Sequence, residues 1–453
     1  MNADPTVLLT PPGQELLARL AAEPDGGGTT LALAVRLRRE YPADLVAAAT
    51  AQHELRLAAR AKFSRAMEML FTRAGYEQSS SEPIARYRAA RFGAARRVAD
   101  LCCGIGGDLL ALASGREALA VDRDDVHTRL ALHNAAVYGQ TANVSAVVAD
   151  VRDLRLDDLD AVFIDPARRS GPGTASARAG GNSPRPGTGS APRGEGKARP
   201  GGASPGAAHR FRAGQSEPPL DWCFALAERV PAVCVKAAPG LPADLIPAGW
   251  EAEFIADGRD LKEAVLWSPA LATAPVAESG ARRRALVLSG SVAHALVACP
   301  GDPVRVTEPG EYLLDPNPAV TRSGLVEDLA RSLSGDGDGG GDGGGNRDGD
   351  VAKIDPQIAF LTLNRPVQTP FARTLRVLDS APWNEKRFAK RLRELGIGAA
   401  DIRRRGLAGD VDQIHRRLKL AGPNRATIVI TRVNDKPWGL ICADTAAPAA
   451  TVC

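Results

Sequence analysis

The sequence reads as an α/β protein. A parallel sheet covered on both faces is preceded by a helical region and followed by a smaller α+β unit. Three observations carry this reading. Between residues 85 and 290, short β-branched runs alternate with helical runs, the pattern of strand–helix–strand crossovers. Residues 1–84 carry apolar residues at i, i+3 and i+4 in QELLARLAA, LALAVRLRREY and LVAAATAQHELRLAARAKF, which predicts helices. Residues 300–441 hold a second, smaller mixture of strand and helix patterns.

Composition narrows the function classes. At roughly 100–200 residues per domain, 453 residues suggest several domains with ample core. Aromatic residues make up only 4%, so the core must be built mainly from Leu, Val and Ala. The balance of 57 Lys and Arg against 53 Asp and Glu leaves a net charge of +4, so any nucleic-acid surface must be local. No run approaches the roughly 18 apolar residues of a membrane span, and MNADPTVLLTPPG lacks the layout of a secretory signal. The seven cysteines are odd in number and form no CxxC pair, so reduced cytoplasmic thiols and no metal ribbon are expected.

Two stretches predict no packed structure. Residues 170–219 are dominated by Gly, Pro, Ser and Arg and bury too little apolar area to offset the entropy of ordering them. Residues 334–350, SGDGDGGGDGGGNRDGD, match neither an EF-hand loop nor a nonapeptide repeat, so an acidic linker without metal is expected.

The chemistry lies in residues 97–169. Val98–Leu101 reads as a strand, followed by a turn with Gly104, Gly106 and Gly107 and then a helix. Small residues are needed there if a ligand approaches the backbone. A second strand ends at Asp122, and DDVHTRLALHNAAVYG reads as its crossover helix, with Asp124 or Asp125 as N-cap. A third strand ends at Asp150 and a fourth at Asp165. Four consecutive strands therefore deliver an acid or a glycine turn to one edge, where open α/β sheets bind ligands.

A dinucleotide fingerprint fails, because Leu109 stands where GxGxxG requires its third glycine. Instead, Asp100-Leu101-Cys102-Cys103-Gly104-Ile105-Gly106 resembles motif I of the class I S-adenosylmethionine-dependent methyltransferases, which have a Rossmann-like sheet. The resemblance implies S-adenosyl-L-methionine as cofactor. Asp100, Cys102, Gly104, Gly106 and Gly107 would lie around its methionine part. Asp122 would take the ribose hydroxyls, since a carboxylate accepts two hydrogen bonds. Asp150 and Val151 would lie near the adenine, and Asp165-Pro166-Ala167-Arg168 stands at the motif IV position, where the methyl acceptor is placed.

Motif IV speaks to the substrate. Adenine amino-methyltransferases carry D/N-P-P-aromatic, and here Ala167 and Arg168 replace the second proline and the stacking ring. DPAR is closer to the DPPR of RNA uracil-5 methyltransferases, which need a cysteine beyond the fifth strand. Cys234 lies within that strand, Val230–Ala237, and reads as a small core residue. Lys236 lies nearer the edge, in reach of the acceptor. Asn134 resembles the N-A-x-x-x-G run of several RNA methyltransferases and equally suits a structural role. Ser79-Ser80-Ser81-Glu82-Pro83 reads as a helix start, and Phe71, Thr72, Arg73 and Gln78 are lid candidates.

Beyond residue 365 the chain turns basic, with 16 Lys and Arg against seven Asp and Glu from Phe371 to Lys436. Two basic amphipathic helices, a short edge strand over DIRRRG and a closing hairpin over Asn434-Asp435 are predicted. Ile402–Gly406, Arg416–Gly422 and Ala426–Arg432 resemble the THUMP-like domain attached to a bacterial family of class I methyltransferases. Tyr312–Val320 and Asp355–Phe360 resemble that family's ferredoxin-like segment. The expected division is 1–84 helical, 85–290 methyltransferase, 300–365 ferredoxin-like and 366–441 THUMP-like. The resemblance implies RNA as partner, with Arg403, Arg404, Arg405, Arg416, Arg417 and Lys419 on phosphates. Two alternatives stand beside an RNA methyltransferase: a small-molecule methyltransferase, and an RNA-binding protein that retains the fold without catalysis.

Overall fold

The computed structural model describes residues 4–22, 31–168, 216–277, 280–334, 351–407 and 409–445. Most of the predicted insertion and nearly all of the predicted acidic linker lie outside the described residues. Ser216–Pro219, counted with the insertion, are structured, and Ser334 ends a helix.

The helical N-terminal region comprises α1 (Pro11–Ala21), α2 (Leu31–Leu37), α3 (Ala43–Ala59), α4 (Arg73–Gln78) and α5 (Glu82–Arg91). Prolines open α1 and α5, where a missing N–H leaves no hydrogen bond unmade. Leu16, Leu17, Leu20, Val46 and Ala49 form one apolar cluster with Phe63, Met69 and Phe71. That cluster also takes in Ile105, Leu110 and Leu130, so the helical region is built onto the glycine loop.

The large sheet follows the crossover pattern. Its elements are β1 (Arg97–Leu101), α6 (Leu109–Leu112), β2 (Glu117–Asp122), α7 (Asp125–Val137), β3 (Val144–Val148) and β4 (Ala161–Ile164). A two-stranded ribbon pairs β5 (Ala167–Arg168) with β6 (Ser216–Glu217), leading to α8 (Leu220–Ala225) and β7 (Ala232–Ala237). The sheet is completed by β8 (Glu251–Asp257), β9 (Asp260–Trp267), β10 (Arg282–Ser289) and β11 (Val292–Val297). The nine strands run in the order β11-β10-β8-β9-β7-β4-β1-β2-β3. β1, β2, β3, β4 and β7 are parallel, and β9 runs antiparallel between β7 and β8. The carboxyl ends of β1, β2, β3, β4, β7 and β8 therefore share one edge. The hairpin β10–β11 carries the sheet to Val297, past the expected limit at 290.

The rest of the chain comprises β12 (Tyr312–Pro316), α9 (Pro318–Ser323), α10 (Val326–Ser334), β13 (Ala352–Lys353), β14 (Leu361–Leu363), β15 (Ala372–Pro382), α11 (Glu385–Glu394), β16 (Ile397–Arg404), α12 (Val411–Leu418), β17 (Asn424–Val433) and β18 (Lys436–Asp444). The two expected units, 300–365 and 366–441, are one structure. Their strands form a single seven-stranded sheet, β13-β14-β12-β15-β18-β17-β16. It is antiparallel except for β16 and β17, joined by α12 as a crossover. DIRRRG proves to be the end of an eight-residue edge strand rather than a short one. The closing hairpin forms as expected, with positive φ at Asn434 and Asp435 as a tight two-residue turn requires.

The two sheets share core. Leu314, Ala319, Val320 and Leu329 lie in one buried cluster with Ala252, Phe254, Ala285 and Leu296. Among the described residues, no helix is long and apolar enough to cross a membrane.

Candidate active site

The glycine loop leaves β1 through a run of unusual backbone. Cys102 has φ +62°, Gly104 +53° and Gly106 +82°. Nothing lies within 4 Å of where a Cβ of Gly104 would stand, so the loop is open there. At Gly106, a Cβ would come within 3.1 Å of Ala131, so this glycine lets the loop approach α7. Gly107 carries an ordinary φ and faces Ser79, 3.1 Å from its hypothetical Cβ. Cys102 is half-buried against the core, and burial raises its thiol pKa.

Asp122 ties this loop to the second crossover. Its Oδ2 accepts from Gly104 N–H at 2.9 Å and its Oδ1 from Asp124 N–H at 3.0 Å. His127 Nδ1 lies 3.5 Å from Oδ2. Burial opposes the charge on Asp122, but His127 and the two backbone donors outweigh it and hold the carboxyl below its usual range. Oδ1, with a single donor, keeps acceptor capacity for a further one.

Asp100 is different. It is 1% exposed, and neither carboxylate oxygen has a hydrogen-bond partner. Burial, then the nearby Asp108 and Asp165, push its carboxyl well above the usual range. Around it, Arg88 is ion-paired with both Asp108 and Glu263 and lies over the Phe163 ring. Ser80 Oγ donates to Glu263 at 2.8 Å. Lys236 Nζ lies 2.5 Å from Asp165 Oδ2 and donates to Gln78 O at 3.4 Å. Four carboxyl groups thus crowd around two cations, and a positive charge brought beside Asp100 would draw its raised carboxyl back toward ionisation. Burial alone would lower the Lys236 pKa, but Asp165 and the neighbouring acids raise it, so the ammonium stays charged.

The structure brings Asp100, Asp165, Lys236 and the glycine loop to one corner, and Asp122 to the next crevice. Pro166 is buried and Ala167–Arg168 continue into the ribbon. Asp150 caps the short 3₁₀ turn Val151–Asp153, and a bidentate pair with Arg152 drops its carboxyl to about 2. The Val151 side chain is buried in the core at 4% exposure, so any contact it makes to a ligand is through its backbone. Asn134 is fully buried and takes the structural role, bonded to both backbone groups of Leu70 and to Ile105 O. Cys234 is a buried core residue, as its place within the strand implied. Of the lid candidates, Phe71 is core, Thr72 caps α4, and Gln78 touches Lys236.

Arg88, Asp108 and Glu263 were not singled out from sequence. Asp108 directly follows Gly107, so an acid beside the loop was the one signal present. On the second sheet, the Arg405 guanidinium lies 2.8 Å from the buried Asp315 and over the Phe360 ring, with the side chain 31% exposed. Arg403, Arg404, Arg416, Arg417 and Lys419 are exposed.

An uncharacterized S-adenosylmethionine-dependent methyltransferase of Mycobacterium tuberculosis is 32% identical over 372 residues, covering 81% of this chain and 85% of that protein. The chain belongs to the S-adenosylmethionine-dependent methyltransferases. Residues 95–173 of this methyltransferase match the family described as RNA cap guanine-N2 methyltransferase. Residues 372–444 match the THUMP domain-like family, and residues 3–59 match a domain of unknown function. A crystal structure from Porphyromonas gingivalis aligns over 99% of this methyltransferase and all of that chain, with TM-score 0.69 and 18% identity, and so shares its fold.

The residues present fit the cofactor. A positively charged sulfonium nucleoside carrying an amino group suits the unpartnered Asp100 carboxyl and the excess of acids around it. The open space at Gly104 suits close approach of a ligand to backbone.

Proposed function

We propose that the protein methylates RNA. The observation that carries this reading is the docking of the basic, THUMP-like sheet on the carboxyl edge of the catalytic sheet. Asn317 Nδ2 donates to Gly258 O at 2.8 Å, and Arg259 Nη2 lies 3.0 Å from Asp315, both at the turn between β8 and β9. The descriptions of the two matched families, RNA cap guanine-N2 methyltransferase and THUMP domain-like, support the same reading.

In this reading Asp100, Cys102, Gly104, Gly106 and Gly107 hold the methionine end of the cofactor. Asp122 accepts from the ribose hydroxyls, and Asp150 lies toward the adenine. When bound, the cofactor supplies an activated methyl group, so the protein's task is chiefly alignment. Lys236 holds Asp165 in place through Oδ2. Asp165 Oδ1, which accepts no hydrogen bond among the described residues, takes the acceptor's N–H or O–H and orients its lone pair. The backbone carbonyl of Pro166 is the second acceptor at this corner. Gln78, the last residue of α4, joins the corner through its carbonyl, which accepts from Lys236.

The test is transfer of tritiated methyl groups to RNA from a strain lacking the gene, followed by mass spectrometry of nucleosides. Label in one nucleoside, absent from that strain's RNA, is expected. Label found only in small molecules, or none in RNA, overturns the reading.

A further inference from the structure

The turn between β8 and β9 brings together arginines that are far apart in sequence. Arg259 Nη2 lies 3.0 Å from one oxygen of Asp315, and Arg405 Nη2 lies 2.8 Å from the other. Arg373 stands directly opposite Asp315 in the β12–β15 pairing and is ion-paired with Asp444. Arg403, two residues before Arg405 on the edge strand, is exposed and makes no ion pair among the described residues. Four guanidinium groups therefore meet two carboxylates, one of them buried. Burial lowers the pKa of Arg259 against the pull of Asp315, and the charges of Arg403, Arg373 and Arg405 lower it further. The arginine side chains remain accessible, with Arg259 39% and Arg405 31% exposed.

The position of this junction matters as much as its charge. β8 ends on the same edge as β4 and β7, which carry Asp165 and Lys236. Two strand spacings separate β8 from β7, about 10 Å across the sheet. Planar guanidinium groups suit phosphate oxygens, which accept two parallel hydrogen bonds.

We propose that the junction of Arg259, Arg373, Arg403 and Arg405 binds backbone phosphates of an RNA strand whose target base lies at Asp165 and Lys236. The proposal rests on the RNA reading above and adds the place where the strand is gripped. Arg405 and Arg373 hold the fold through Asp315 and Asp444, and Arg259 shares Asp315 with Arg405, so the changes that disturb the fold least are at Arg403, which breaks no ion pair among the described residues, and then at Arg259. Removing Arg259 leaves Asp315 paired with Arg405.

The experiment measures binding of a bulk RNA fraction to the full chain at several salt concentrations, with melting temperature recorded alongside. Compared are wild type, Arg259→Gln/Arg403→Gln, and Arg38→Gln/Arg155→Gln, which removes the same charge from exposed sites elsewhere. The junction variant is expected to lose about tenfold or more in affinity, with a salt slope shallower by about one to two. The control pair is expected to bind as wild type does. If the junction variant melts like wild type and keeps its affinity and slope, the junction is not the grip, while the RNA reading stands. Equal losses in the junction and control variants overturn the proposal in the same way, because charge alone then explains the effect. If wild type binds no RNA, both fall. A single Arg403→Gln variant, which breaks no ion pair among the described residues, should lose part of the affinity and gives a reading if the double variant folds poorly.

Discussion

Lys236 Nζ lies 2.5 Å from Asp165 Oδ2, an ion pair that joins the ends of β4 and β7. The pair sits where the acceptor is to be aligned, so its loss should affect turnover more than cofactor binding. Lys236→Met is expected to lower methyl transfer by about 100-fold, the scale of a misplaced reacting group. It should also destabilise the fold by about 1–3 kcal/mol, because Asp165 loses its partner. The double variant Asp165→Asn/Lys236→Met should recover stability without recovering turnover. Full activity in Lys236→Met, measured by label transfer at saturating cofactor, would show that the pair serves only the fold.

Asp122 is the clearest test of the cofactor pocket. Asp122→Ala removes the proposed acceptor for the ribose hydroxyls and also frees the Gly104 N–H. Calorimetric affinity for S-adenosylmethionine should fall by about ten- to 100-fold, the scale of one or two hydrogen bonds to a charged group. An unchanged dissociation constant would remove the ribose assignment.

His127 and Asp122 make a pH-dependent contribution to stability. The Asp122 carboxylate raises the His127 pKa above its ordinary 6.5, against the effect of burial. That contribution is fully present below about pH 6.5 and is lost as pH rises through the raised value. The depressed Asp122 carboxyl works the other way. Its share is present above about pH 3.8 and is lost as pH falls through the lowered value. The pair therefore contributes most between about pH 4 and 6.5. The melting-temperature gap between wild type and His127→Ala should be larger at pH 5.5 than at pH 9. A gap that does not change across this range would show that His127 does not couple to Asp122.

Asn134 fastens the segment before α5 to the glycine loop. Replacing it with Leu would leave the backbone N–H and C=O of Leu70 and the carbonyl of Ile105 without partners. A loss of about 2–4 kcal/mol is expected, since each orphaned buried group costs about 1–3 kcal/mol and the site relaxes in part. Faster amide exchange confined to residues 62–81 and the loop at 102–107 should accompany it. Uniform exchange throughout the chain would argue against a local fastening.

The order of strands and helices was legible because each strand of the catalytic sheet is a short apolar run ending in a charged or glycine-rich turn. Asp100, Asp122, Asp150 and Asp165 could be placed on one edge from that pattern alone. The ion pairs behind the edge could not. Arg88 and Glu263 are 175 residues apart, and nothing in EPIARYRAAR distinguishes the buried Arg88 from the exposed Arg86. The partners of Arg405 were hidden for the same reason: nothing in DIRRRG marks the arginine that meets Asp315 and Phe360, both far off in sequence. The boundary at 290 fell inside a hairpin whose turn, at Gly290 with φ +62°, is a recognisable loop signal that also marks a domain end. The single C-terminal sheet was hidden because the chain between β14 and β15 looks like a linker, although the two strands lie on either side of β12.

The apolar cluster that takes in Leu314, Val320 and Leu329 alongside Phe254 and Leu296 has a bearing on how this chain can be cut and recombined. A catalytic fragment ending near residue 300 would show water a wall of aliphatic side chains that normally never meet it. Such a fragment should aggregate rather than act as a free-standing enzyme. The appendage is a supporting wall of the house, not an extension, and grafting it onto another catalytic body would demand a matching set of aliphatic partners on the recipient.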